Sequence, residues 1–156
     1  MNTQHIANHL KDSDSPFGPV IFAYTRAQAI ADGVLVDLSQ TREVKEAGFR
    51  YPLAMTCAAY EACISAGGEW VAEEEGPGEI LQLPCGQSSE GRLWDVLTMM
   101  RHAIRSAHLI NSERVSFSVL VDVNGDGKHR TVRLWSLVGP GDTRAPVITI
   151  MLEGED

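Results

Sequence analysis

Residues 20–38 read VIFAYTRAQAIADGVLVDL, and this stretch decides the fold. Two short apolar runs bracket a short helical run. The Thr25 hydroxyl can accept from a free amide of the first helical turn, and Gln28 can reach back to the Thr25 amide, which completes a capping box. Gly33 permits the left-handed turn that stops such a helix. The unit is therefore strand, one or two helical turns, strand. Most of its residues are apolar or small, so it belongs to the core. Its polar groups are Tyr24, Arg26, Asp32 and Asp37.

The stretch sits in a chain of 156 residues, the size of one domain with a sizeable core. The composition, 44% hydrophobic and 22% charged, is that of a soluble globular protein. A net charge of −8 argues against nucleic-acid binding, which needs clustered Lys and Arg, and suits docking on a basic partner. Three cysteines, Cys57, Cys63 and Cys85, lack C-x-x-C spacing and read as reduced thiols of a cytoplasmic protein, with Cys57 and Cys63 as small core residues. The N-terminus lacks a signal-peptide pattern, and no apolar run reaches membrane-spanning length.

Upstream, residues 1–19 are polar and then rich in Ser, Pro and Gly, and read as a flexible arm. His5 and His9 have helical metal-ligand spacing but no third ligand nearby. Downstream, Ser39 is placed to cap a helix over residues 40–47, with Gly48 as its stop. Pro52 suits the first turn of a third helix reaching Ala66, with Leu53, Cys57, Tyr60 and Ile64 on its core face. Residues 69–89 read as a surface loop with one short strand at 80–83. The longest helix is expected over residues 89–107. Leu93, Leu97, Met100, Ile104 and Ala107 make its apolar stripe, and Trp94 lies off it.

The last third is strand-like. Val115, Phe117, Val119 and Val121 alternate with Ser116, Ser118 and Leu120. Asn124-Gly125-Asp126-Gly127 makes a hairpin turn, and return strands follow at 131–138 and 147–152. The expectation is one α+β domain over residues 20–156. It has a mostly antiparallel sheet, a C-terminal three-strand meander and helices packed on one face.

Chemistry is sparse. Asp122, Asn124 and Asp126 match the first half of a calcium loop, but Arg133 stands at the twelfth position where an acid is needed. Asp95 and His102 share a helix face yet are two turns apart, beyond hydrogen-bond reach. No phosphate loop, metalloprotease motif or nucleophile elbow occurs, so no catalytic residue, metal or cofactor is expected. Arg26, Asp37, Arg50, Arg92 and Asp95 are charges set beside apolar or aromatic neighbours at the ends of predicted elements. Asp37, Arg50, Arg92 and Asp95 are the candidate binding residues, and internal salt bridges account for them equally well.

Four ordered motifs carry a resemblance: residues 20–39 (VIFAYTRAQAIADGVLVDLS), 46–56 (EAGFRYPLAMT), 91–97 (GRLWDVL) and 139–156 (GPGDTRAPVITIMLEGED). Together they resemble a bacterial domain family of unknown function whose members occur mainly on plasmids, phages and other mobile elements. The resemblance covers nearly the whole chain, while residues 66–89 look peculiar to it. It implies a cytoplasmic accessory protein of a mobile element and supplies no catalytic residues. With the acidic charge, it points to action by protein binding, one version being antagonism of a host defence system. The alternative is a small enzyme or small-molecule binder with a polar cleft near Gly33, Gly48 and Ser89. A third reading is a self-associating structural protein. A protein partner is expected, with no direct nucleic-acid binding and no membrane; the oligomeric state stays open.

Overall fold

A computed structural model describes residues 24–73, 76–107 and 114–155. The N-terminal arm, its His5 and His9, the first strand expected before Tyr24 and the Cys85 side chain lie outside the described residues.

Three short helices follow one local rule. α1 (Arg26–Ala31), α2 (Arg42–Glu46) and α3 (Cys57–Cys63) each start after a threonine whose hydroxyl accepts a first-turn amide. Thr25 accepts from Gln28, with the capping box complete, Thr41 from Val44 and Thr56 from Ala59. Such a cap contributes about 1 kcal/mol. Helices this short are unstable alone, so packing must hold them.

Ser39 does not cap α2, contrary to expectation. Its hydroxyl is engaged elsewhere, donating to Asp37 and accepting from the Leu53 amide at 3.0 Å. Those bonds join the ends of β1 (Leu35–Asp37) and β2 (Leu53–Thr56), which pair antiparallel. The expected helix from Pro52 is thus replaced by a strand followed by α3. Leu53, Ala54 and Met55 are fully buried; successive strand side chains point to opposite faces, so both faces of the sheet are covered here.

Residues 69–89 are more regular than expected. β3 (Glu69–Ala72) and β4 (Glu79–Gln82) form a separate two-stranded ribbon. Gly67, two residues before β3 and at φ 72°, lies against Val123, and a Cβ there would overlap the Val123 carbonyl oxygen. The long helix α4 (Ser89–Ala107) and the strands β5 (Arg114–Asp122), β6 (His129–Pro140) and β7 (Pro146–Leu152) match expectation, including the meander.

The main sheet has the order β1-β2-β7-β6-β5. Three of its four pairings are antiparallel, and β2–β7 is parallel, so the α+β sheet is mixed. On one face, Met55, Val119, Leu134 and Ile150 pack against α2, α3 and α4 through Val44, Cys63, Val96, Leu97 and Met100. Each large side chain fully buried there contributes roughly 1.5–3 kcal/mol. The expectation of helices on one face needs correction, because α1 lies on the other face. Thr149 and Met151 alternate with the inward Ile148 and Ile150, and they meet α1 at Arg26 and Ala29.

Candidate functional site

The outer face of β1-β2-β7 carries the largest recess among those described, a groove of about 480 Å³. Ala29 of α1, Val34 and Leu35 at β1, Thr56, Cys57 and Ala58 at the β2–α3 junction, Thr149 and Met151 of β7, and Glu155 line it. Its size and its apolar lining with a few polar groups suit a ligand or an inserted side chain.

Two clamps set its walls. Asp142, in the β6–β7 loop, accepts the Arg26 amide at 2.8 Å and the Ala27 amide at 2.9 Å, so it satisfies the first turn of α1 from across the fold. Arg26 then donates from Nη1 to Thr149 Oγ1 at 3.0 Å and from Nη2 to the Ile148 carbonyl at 3.4 Å. Burial pulls the Arg26 guanidinium below its usual range, against the opposing pull of Asp37 and Asp142. The opposite wall is Glu155. Its carboxylate accepts the Leu152 amide at 2.6 Å and the Thr56 hydroxyl at 2.8 Å. Thr56 Oγ1 thus accepts from α3 and donates to the C-terminal turn, using both of its hydrogen-bonding functions.

Cys57 is half-buried in this groove rather than in the core, whereas Cys63 is fully buried as expected. Burial raises the Cys57 thiol, and the Glu61 carboxylate, 3.5 Å from its Sγ, raises it further. The thiol therefore stays protonated near neutral pH and is a poor nucleophile. Burial pushes the Cys63 thiol up to about 11.

The four charges read from the sequence occupy separate surroundings. Burial opposes ionisation of Asp37, but the Ser39 hydroxyl and amide, with Arg26 nearby, hold its carboxyl below the ordinary value. Arg50 is exposed and makes no hydrogen bond or ion pair with the described residues. Arg92 is only 7% exposed. It donates to Gln87 Oε1 at 2.9 Å and to the carbonyls of Ile64, Ala66 and Asp122 at 3.0, 2.7 and 2.8 Å. Asp95 is exposed and borders a very small recess with Arg92, Cys63 and residues 119–121. No hydrogen bond or ion pair joins any two of the four among the described residues.

A second recess, about 120 Å³, lies between the helices and holds Glu43, Glu90, Thr41 and Tyr60. The half-match to a calcium loop is a hairpin turn. Asp122 accepts the Gly125 and Gly127 amides at 2.7 and 2.8 Å, and the Gly127 bond is the main cause that holds its carboxyl below the ordinary value. Among the described residues, no group of three or more His, Cys, Asp or Glu could hold a metal ion. No helix of the described residues is long and apolar enough to cross a membrane.

The residues of the groove were not among the sequence candidates. The signal was in β7, where residues 147–152 are apolar on both faces apart from Thr149; such a strand is covered on both sides. The chain belongs to a family of unknown function (DUF6573), whose model matches residues 17–156. That agrees with the resemblance in the breadth of the match and in the unknown function. No curated protein and no solved structure matches the chain.

Proposed function

We propose that the protein acts by binding, with the outer-face groove seating an apolar side chain of a protein partner. The observation that carries this reading is the groove itself. It combines a predominantly apolar lining with walls set by the Asp142 and Glu155 clamps, the second of them a carboxylate. Val34 is 52% exposed at its edge, a large apolar side chain left for a partner to cover. Glu155, Glu61 beside Cys57 and the net charge of −8 favour basic residues flanking the inserted side chain. The wider setting, an accessory protein of a mobile element that blunts a host defence, rests on the resemblance of the four motifs. The alternative, an enzyme or small-molecule binder built on Asp37, Arg50, Arg92 and Asp95, draws less support, because their surroundings are separate.

The test is a comparative capture from bacterial lysate with the wild-type chain and Ala58→Arg as baits. Ala58 is exposed at the groove, so the variant fills the groove and leaves the core untouched. A partner retained by wild type should be lost from Ala58→Arg, and it should slow maleimide labelling of Cys57. Equal retention by both baits, with Cys57 labelled as fast as in the free protein, would refute the groove as the docking site.

A further inference from the structure

The main sheet ends differently on its two sides. The β1 edge is three residues long and carries Asp37, a short and charged edge of the kind that resists pairing. The β5 edge is nine residues long, RVSFSVLVD, with charges only at Arg114 and Asp122. Its register against β6 runs unbroken from Arg114↔Leu137 to Asp122↔His129, so no bulge turns it away. Among the described residues, no strand pairs with its outer side. Interior Lys, Pro and bulges, the usual devices that protect an edge, are all missing from this strand.

The order of residues along β5 is complementary to itself. Laid antiparallel on a second copy with Ser118 opposite Ser118, it sets Arg114 against Asp122, Val115 against Val121, Ser116 against Leu120 and Phe117 against Val119. Opposite charges meet at both ends, an aromatic faces a β-branched residue on the core side, and the smallest polar pair sits at the axis. The Arg114 guanidinium lies over the Trp135 ring, 3.7 Å from the centroid, and must swing from there toward the open edge to meet Asp122 of the second copy. Asp122 uses one lone pair of each oxygen on the turn amides and keeps others for the guanidinium. Leu120, 63% exposed on β5, is a large apolar side chain on this edge strand.

We infer that two copies of this chain pair through β5 in an isologous dimer, with the main sheet continuous across both. The two-fold axis passes by Ser118. This surface is the edge opposite to that of the groove strands, so its failure would leave the groove reading intact.

Sedimentation over a dilution series should give a dimer mass for the full chain. Ser118→Glu places two carboxylates against each other at the axis and should weaken the dimer at least about tenfold, with its melting temperature as a monomer showing that it is folded. Ser118→Cys, compared with its parent in a Cys57→Ser background, should form an intermolecular disulfide under mild oxidation. Ser116→Cys should not, because its pairing partner is Leu120. A monomer mass at concentrations up to roughly millimolar overturns the inference. So does a dimer indifferent to Ser118→Glu, or a Ser116→Cys variant that cross-links as fast as Ser118→Cys.

Discussion

Replacing Arg92 by leucine tests how the layers are fastened. The guanidinium joins backbone segments of three different elements. Ile64 and Ala66 offer the carbonyls left free past the end of α3, Asp122 offers the carbonyl at the end of β5, and Arg92 itself is on α4. Each bond of this kind, with a charged donor, contributes on the order of 1.5–3 kcal/mol. Their sum overstates the loss, because water can enter and partly satisfy the carbonyls. A buried carbonyl left unsatisfied costs about 1–3 kcal/mol, so with water replacing part of the bonds the expected loss for Arg92→Leu is roughly 3–5 kcal/mol. Against a total stability of roughly 5–15 kcal/mol this is a large share. Equilibrium urea unfolding should show a midpoint lowered by more than about 1 M with an unchanged slope. Arg92→Lys should recover only part, because a single ammonium cannot span carbonyls that a planar fork reaches together. A leucine variant within about 1 kcal/mol of wild type would refute the reasoning. A lysine variant that keeps its stability but loses the partner would make Arg92 a contact residue instead.

Two further outcomes follow from the same geometry. Asp142→Ala should cost about 1 kcal/mol and speed amide exchange over α1 while leaving α4 protected, since Asp142 caps the first turn of α1 alone; exchange unchanged over Arg26–Ala31 would count against it. The carboxyls of Asp37, Glu90 and Asp122 all lie below their ordinary values, 3.8 for the aspartates and 4.5 for the glutamate. Their stabilisation is therefore complete above those values and is lost as pH falls through them, because the unfolded chain takes up protons first. The melting temperature should hold level above about pH 5 and drop below it, with a shallower drop for Asp37→Asn; a level curve down to about pH 3 would contradict this.

Where the sequence was legible, the signal was local. The Thr25–Gln28 box, the apolar stripe of α4 and the alternation of β5 up to its turn are all written within one element. The reading failed where partners distant in sequence decide. Leu53 to Thr56 fits a helix start after Pro52, and only its place between β1 and β7 makes it a strand. Ser39 and Thr41 are both acceptable caps by type; the choice fell to Thr41 because Ser39 is held by Asp37 and Leu53. In the sequence the candidate charges stand out only by their apolar neighbours. That criterion finds a buried brace such as Arg92 as readily as a contact residue. The groove, by contrast, is assembled from small and aliphatic residues of several separate segments, none conspicuous alone.

The division between the two faces of the sheet now gives the embedded charges their meaning. The inner face is sealed by α2, α3 and α4, and the arginine buried there, Arg92, is engaged by backbone carbonyls of the same layers. Asp37 meets neither Arg50 nor Arg92. It closes the β1–β2 end through Ser39 and lies near Arg26, which fastens α1 to β7. Charges with that much local work are poorly placed to take a ligand as well. The outer face is different. Among the described residues a six-residue helix covers only part of it, leaving the groove beside β1-β2-β7, and no strand pairs with the outer side of β5. A chain built only to be stable gains from covering both. Leaving Val34 and Leu120 in water costs transfer free energy at each position, which a partner's side chain at one and a second β5 at the other would recover.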